Sequence, residues 1–248
     1  MGVARTEPAR GGAWLLLGIA AAVLATGSAT LGWLDLHRAT KPLAMVFAIV
    51  FVALRARPSR AGRAFGLWLM AALACSLAGD VLLMFPGYFV PGLVAFLLAH
   101  LVYIGLFKRG MPWFPSRGAL AATLGVGAVM YGVLWFGGLP VALRAPVAAY
   151  VLAIALMAAQ AIGRARRLGG RHAWMVAGGA CTFMLSDALL ALNRFVQPLP
   201  LAQLWVLSSY YFAQFLIACG ACPESAKAES NAELKGDSAA PASRTSRA

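Results

Sequence analysis

The chain has 248 residues, of which 61% are hydrophobic and 12% are charged, and its mean hydropathy is +0.77. Soluble domains are about half apolar and a quarter charged. This composition therefore excludes an ordinary soluble protein, a disordered chain and a disulfide-stapled secreted module. The four cysteines also lack the regular spacing of a disulfide framework. A polytopic membrane protein remains.

Eight segments of the chain are apolar enough to be membrane spans, although the second is short, and a start near Ala39 that includes Lys41 is the alternative for it. A membrane-spanning helix needs about 20 mainly apolar residues, and no segment shows the period-2 alternation of a membrane β-barrel. The sequence therefore predicts an all-α integral membrane protein with eight transmembrane helices. The predicted spans are residues 14–34, 42–54, 64–84, 89–107, 118–136, 141–162, 173–192 and 199–221.

The same pattern divides the chain into three parts. Residues 1–12 are predicted to be a cytoplasmic segment, residues 13–221 the transmembrane domain, and residues 222–248 a polar tail whose composition predicts disorder. The first span has an alternative interpretation as a cleaved signal peptide, because Arg5 and Arg10 precede its apolar run and small residues follow it. Cleavage would leave seven spans and an outer N-terminus.

The excess of basic residues predicts the orientation of these spans. The chain carries 21 Lys and Arg against 8 acids, a net charge of +13. With the N-terminus inside and eight alternating spans, 17 cations lie on the cytoplasmic side, as the positive-inside rule requires. This distribution predicts a multi-pass protein of a bacterial-type inner membrane with both termini cytoplasmic, and it explains the charge without nucleic acid. The four outer cations are Arg38, Lys41, Arg144 and Arg194.

Two acids, Asp80 and Asp187, lie inside predicted spans and at similar depth. Ionisable groups in a bilayer core are costly and usually functional. Burial favours the neutral form of a carboxyl, and a general acid must hold its proton until the proton is needed. The two residues are therefore candidate catalytic groups. The alternative is that each only forms a hydrogen bond to a neighbouring helix.

Further polar side chains accompany the two acids on spans 2, 3, 4, 7 and 8. Because buried polar groups must find partners in a membrane, we expect these faces to enclose one polar cavity that opens outward. Each member alone has a simpler explanation: a hydrogen-bonded buried histidine, helix packing, or cations reaching the interface. The members are Lys41 on span 2, His100 and Tyr103 on span 4, Asn193 and Arg194 at the end of span 7, and Gln203, Tyr210 and Gln214 on span 8.

A weak internal similarity relates the two halves of the chain. The segment Asp80-Val81-Leu82-Leu83 matches Asp187-Ala188-Leu189-Leu190, and Arg38-Ala39 before span 2 parallels Arg144-Ala145 before span 6. Spans 1–4 and 5–8 are therefore predicted to be two parallel four-helix repeats, as in some transporters.

Several of these motifs together resemble the YhhN family of eight-span membrane proteins, whose animal members are lysoplasmalogenases. The resemblance covers residues 13–220 and places Lys, Asp, His, Tyr, Asp, Asn and Gln in order among apolar spans. Its motifs are Thr40-Lys41-Pro42-Leu43, Ser76-Leu77-Ala78-Gly79-Asp80-Val81-Leu82-Leu83-Met84, Phe96-Leu97-Leu98-Ala99-His100-Leu101-Val102-Tyr103, Leu185-Ser186-Asp187-Ala188-Leu189-Leu190-Ala191-Leu192-Asn193-Arg194-Phe195 and Tyr210-Tyr211-Phe212-Ala213-Gln214.

The resemblance implies a hydrolase that cleaves the vinyl-ether bond of a lysoplasmalogen, with membrane lipids as surroundings and no metal, cofactor or obligate protein partner. The products would be a fatty aldehyde and glycerophosphoethanolamine or glycerophosphocholine. The family's functional residues carry over onto eight positions, to which we add Arg194 for its place two turns after Asp187. The expected catalytic residues are Asp80, Asp187 and His100, and the expected substrate-binding residues are Lys41, Tyr103, Asn193, Arg194, Tyr210 and Gln214.

Vinyl-ether hydrolysis suits a pair of carboxyls in different protonation states. An acid protonates the β-carbon, and an anion stabilises the oxocarbenium ion that forms, by analogy with glycosidases. Lys41, with Arg38 or Arg194, would hold the lipid phosphate. One rival function is proton-coupled transport of a small molecule or lipid, since two membrane carboxyls and a histidine also suit a proton relay. Another is lipid binding without turnover.

Overall fold

The computed structural model describes residues 7–55 and 60–221, and these ranges contain eight helices and no strand. Each of the eight is long and apolar enough to cross a membrane. The predicted all-α, eight-span architecture is therefore confirmed. The helices are α1 (Glu7–Thr30), α2 (Leu34–Arg55), α3 (Arg60–Leu82), α4 (Phe89–Lys108), α5 (Arg117–Phe136), α6 (Val141–Leu168), α7 (Gly170–Phe195) and α8 (Ala202–Ala221).

Short connections make successive helices run in opposite directions. We call the end of the bundle where α1 begins and α8 ends the base, and the opposite end the top. Seven helices form a ring in the order α1, α2, α3, α4, α6, α7, α8, and α8 packs back onto α1. Helix α5 lies outside this ring and packs mainly against α6. This peripheral position leaves room beside α5 for a cavity.

The outer surface of the bundle is apolar. Large side chains such as Leu16, Leu98 and Val129 are about half exposed or more, an arrangement that marks a membrane or protein contact surface. Exposed tryptophans lie near the helix ends, including Trp33 and Trp205, where membrane proteins place their interfacial aromatics. Together with eight spanning helices, this surface identifies a multi-pass membrane protein.

Two glycines bring the acid-bearing helices close to their neighbours. A Cβ atom on Gly79 would lie 2.5 Å from the Phe96 ring, and one on Gly179 would lie 2.8 Å from the carbonyl oxygen of Ala213. Glycine is the residue that permits such close helix contacts in membranes. Helix α3 is thereby fixed against α4, and α7 against α8, which positions the two buried carboxyls.

The predicted start of the second span is wrong. Helix α1 ends at Thr30, and α2 begins at Leu34, eight residues before the predicted residue 42. Asp35 therefore lies in the first turn of α2 rather than at the end of α1. The polar residues at this start had indicated a loop, but Asp35 and Arg38 are exposed and form an ion pair at the helix end. Pro42 is inside α2, as membrane helices tolerate.

The terminal predictions are not tested by the structure. Helix α1 begins at Glu7, within the segment predicted to be cytoplasmic. The predicted C-terminal tail, residues 222–248, lies outside the described residues.

Candidate active site

A buried ion pair joins α2 to α3. The ammonium Nζ of Lys41 lies 3.4 Å from Oδ1 of Asp80, and the two side chains are 10% and 3% exposed. The Tyr210 hydroxyl, on α8, donates a hydrogen bond of 2.5 Å to Oδ2 of the same carboxyl. Both carboxyl oxygens of Asp80 thus have partners, which offset the cost of burying a charge.

The second carboxyl, Asp187 on α7, has different neighbours. Its Oδ2 accepts a hydrogen bond of 2.6 Å from the hydroxyl of Tyr150, on α6. Nε2 of His100 lies 3.7 Å from the same oxygen, which is too far for a hydrogen bond. The His100 ring is fully buried, and neither of its nitrogens has a hydrogen-bond partner among the described residues. Each carboxyl therefore has a phenol as hydrogen-bond donor, but the second neighbour is an imidazole for Asp187 and a lysine for Asp80.

Aromatic rings fill the space between the two carboxyls. The His100 ring packs edge-on against Tyr150 and Phe183, with centroid distances of 5.1 Å and 4.9 Å. Phe183 also packs against Tyr210, at 5.5 Å. Through these rings, the partner of Asp80 is in contact with the neighbours of Asp187. The two carboxyls belong to one cluster, but apolar rings rather than the expected open polar space connect them.

A second layer of polar groups lies nearer the base. The Tyr103 hydroxyl donates a hydrogen bond of 2.7 Å to Oε1 of Gln214, and both side chains are fully buried. Gln214 lies one helical turn beyond Tyr210 on α8. Tyr103 and Gln214 are therefore beneath the carboxyls and join α4 to α8.

The two predicted residues at the end of α7 have different surroundings. Oδ1 of Asn193 accepts a hydrogen bond of 2.9 Å from the backbone N–H of Leu199, which fixes the connection to α8. The guanidinium of Arg194 lies 4.9 Å from the centroid of the Phe89 ring, at the top of α4. Gln203, on the first turn of α8, has no described contact with the cluster. Arg194 is exposed, whereas Lys41, Asp80, His100, Tyr103, Tyr210 and Gln214 are buried and Asp187 is partly buried.

A cavity of about 400 Å³ lies beside this cluster, between α4, α5, α6 and α7. Asp187 and Arg194 are the charged residues in its wall, and Tyr150 and Thr123 supply further polar groups. The rest of the wall is almost wholly apolar, with Phe89, Leu93, Phe96, Val126, Gly127, Met130, Leu134, Val147, Ile154, Met184 and Leu185 among its residues.

The expected polar cavity among spans 2, 3, 4, 7 and 8 is therefore wrong in its lining and its location. His100 packs on the rings of Tyr150 and Phe183, and the cavity lies beside α5, which is outside the ring of helices. Asp187 lies in the wall of this groove, and Asp80, Lys41 and His100 do not. The side chain of Asp187 is accordingly 15% exposed, against 3% for Asp80.

Two residues of the site were missed by sequence reasoning. Tyr150 is an isolated polar residue in the sixth span, 37 positions before its partner Asp187, and Phe183 is one of many apolar residues of the seventh. Neither has a local sequence signal, because both act through contacts between helices.

The partners of the two carboxyls follow one pattern. Each Asp meets a residue from the preceding helix, Lys41 for Asp80 and Tyr150 for Asp187. Each also meets a residue from the last helix of the other half, Tyr210 for Asp80 and His100 for Asp187. Two parallel repeats related by an approximate two-fold axis would produce this arrangement, and the repeat stays a prediction.

The sequence profile of the YhhN family matches residues 36–221, three quarters of the chain. The chain belongs to the YhhN family. This YhhN protein is 38% identical over 178 residues to the lysoplasmalogenase TMEM86B of Sus scrofa, and the alignment covers 72% of each chain.

Two further relatives of the YhhN protein are also lysoplasmalogenases by name. The human lysoplasmalogenase TMEM86B is 38% identical over 153 residues, covering 62% of each chain. The lysoplasmalogenase of Mycobacterium tuberculosis is 36% identical over 162 residues, covering 62% of this chain and 59% of that protein. No solved structure matches the chain closely enough for comparison.

Proposed function

We propose that this YhhN protein is a membrane-embedded hydrolase that cleaves the vinyl-ether bond of lysoplasmalogens. The products are a fatty aldehyde and glycerophosphoethanolamine or glycerophosphocholine. The names of its relatives support this activity. The structural observation that carries the proposal is the position of Asp187, a carboxyl held by a phenol in the wall of an apolar cavity.

The reaction needs one proton donor next to an apolar chain. In the proposed mechanism, the carboxyl of Asp187 transfers its proton to the β-carbon of the vinyl ether. The resulting oxocarbenium ion is stabilised by the carboxylate left behind, as in glycosidases. Water adds to the α-carbon and returns a proton to the carboxylate, which gives a hemiacetal. Release of the glycerol oxygen as an alcohol then yields the aldehyde.

The other cluster residues have supporting roles in this proposal. Asp80 is a positioning residue, because its partners are Lys41 and Tyr210 and it does not reach the cavity. It acts through Tyr210, which packs against Phe183 and so against the ring of His100 beside Asp187. The buried ring of His100 packs behind Asp187, with Nε2 3.7 Å from Oδ2, and limits where that carboxyl can move. Tyr103, Asn193 and Gln214 hold the helices in place.

Turnover by the detergent-purified protein tests this function. We expect aldehyde release from a 1-alkenyl lysophospholipid and none from the matched 1-alkyl lipid, since a saturated ether has no carbon that can accept the proton. A matched 1-acyl lipid controls for general lipase activity. A transporter would show no turnover in detergent and would move its substrate only across sealed vesicles, and that result would replace the hydrolase proposal.

The distribution of cations supports a bacterial-type inner membrane with the base in the cytoplasm. Among the Lys and Arg of the described ranges, Arg38, Lys41, Arg144 and Arg194 lie toward the top of the bundle and the others toward the base. Reporter fusions after residues 59 and 169 are therefore expected to report a cytoplasmic location, and fusions after residues 87 and 138 a periplasmic location. A C-terminal reporter in the periplasm would contradict this topology.

A further inference from the structure

The cavity beside α5 contains a cation and a carboxyl on one helix face. Asp187 and Arg194 are seven residues apart on α7, which places their Cα atoms about 10 Å apart along the axis. Asp187 lies at mid-depth in the groove, and Arg194 lies at the top. None of the ion pairs among the described residues involves the guanidinium of Arg194. The groove thus offers an available cation two helical turns from the carboxyl that we propose as the acid.

The groove is also open at its side. Val126 on α5 and Leu185 on α7 line it and are 58% and 55% exposed. Because α5 packs mainly on α6 and contacts α7 over only a short stretch, most of the space between α5 and α7 is left open. A lipid chain can therefore enter from the bilayer without crossing the top of the bundle.

We infer that this groove is a lateral binding site for a single-chain glycerophospholipid, with the phosphate on Arg194, the ether group at Asp187 and the chain leaving between α5 and α7. This inference rests on the proposed function, for which it specifies the substrate-binding site. A volume of about 400 Å³ is at the small end of ligand pockets and suits one chain with its glycerol. A planar guanidinium is the preferred cation for phosphate oxygens.

The spacing of the two residues matches the ligand. Six bonds separate the vinyl α-carbon of a lysoplasmalogen from its phosphorus, and an extended chain spans roughly 3.5 Å for every three bonds. The ether and the phosphorus are therefore about 7 Å apart, which two side chains on Cα atoms about 10 Å apart can both reach. Lys41 cannot take this role in the structure as it stands, because its ammonium is paired with Asp80 outside the groove.

Binding of an uncleavable ligand tests the site separately from the reaction. The probes are a 1-alkyl lysophospholipid and the matching 1-alkylglycerol, which lacks the phosphate, measured by equilibrium dialysis in detergent. Arg194→Gln is expected to weaken binding of the lysophospholipid about tenfold, the effect of about 1.4 kcal/mol, and to leave the alkylglycerol unchanged. Arg194→Lys keeps the positive charge but lacks the planar guanidinium, and its affinity for the lysophospholipid should lie between those of the wild type and Arg194→Gln.

Arg144→Gln is the matched control. Arg144 is also a cation at the top that lies over an aromatic ring, 3.8 Å from the centroid of Trp135, but it does not line the groove. This variant is expected to bind both ligands like wild type. An equal loss of both ligands in Arg194→Gln, or the same loss in Arg144→Gln, would overturn the phosphate assignment. If Arg194→Gln does not fold, equal affinity of the wild-type protein for the two ligands overturns it.

Photolabelling locates the chain. A 1-alkyl lysophospholipid with a diazirine in its chain is expected to label peptides of α5 and α7, and an excess of unlabelled ligand should suppress that labelling. Competed labelling confined to α1 and α2 would overturn the groove assignment. Neither readout requires turnover, so a protein that binds in this way but releases no aldehyde would refute the hydrolase proposal and retain the binding site.

Discussion

Asp187→Asn is expected to lower the turnover of a 1-alkenyl lysophospholipid on the order of a hundredfold or more. The amide has nearly the volume of the carboxyl and can still accept the hydrogen bond from Tyr150. It cannot supply the proton, and it leaves no anion beside the oxocarbenium ion. Initial rates of aldehyde release from the detergent-purified variant measure the effect, and gel filtration checks that the protein is folded.

Asp35→Asn is the matched control for this substitution. Asp35 is a fully exposed acid at the top of the bundle, paired with Arg38 and remote from the cluster, so its amide variant is expected to turn over at the wild-type rate. Asp80→Asn should also lose activity, and the double variant should be little worse than the poorer single variant because residues that act as a unit are not additive. Near-normal turnover by a folded Asp187→Asn protein would exclude the carboxyl mechanism.

The fold was largely predictable because a bilayer imposes a simple rule on sequence. A spanning segment must be long, apolar and helical, so hydropathy alone located all eight helices. The start of α2 was predicted too late in the chain because the same rule assigns charged residues to loops. At a helix end, Asp35 and Arg38 reach water while the backbone remains helical, and Pro42 only removes one donor from the interior of α2.

The site was predictable in its polar members and not in its shape. Asp80, Asp187 and His100 stood out because polar groups inside spans are costly, and the structure brings them together. The sequence did not show that the two carboxyls have different surroundings. Asp80 is next to a lysine because α2 packs against α3, and Asp187 lines a cavity because α5 lies outside the ring of helices. Contacts of this kind depend on which helix faces meet, and apolar spans carry little periodicity that would indicate them.

Lys41→Met is expected to lower the stability of the folded protein by about 3 kcal/mol, the usual cost of removing one partner from a buried ion pair. The Asp80 carboxylate then remains in a site that is 3% exposed, with the Tyr210 hydroxyl as its remaining partner. Thermal unfolding of the detergent-purified variant measures the loss. Arg38→Gln removes the cation of an exposed pair on the same helix and is expected to leave the unfolding temperature unchanged, because exposed pairs contribute little.

The double variant Lys41→Met/Asp80→Asn separates stability from catalysis. Replacing both members of a buried pair by neutral groups of similar size is often neutral for stability, so most of the lost stability should return. Activity should not return, because the carboxylate that holds the Tyr210 hydroxyl, and through it the rings beside Asp187, is still missing. A double variant that recovers both stability and turnover would show that the Lys41–Asp80 pair only holds α2 against α3. A double variant that recovers neither stability nor turnover would show that folding needs the charged Lys41–Asp80 pair.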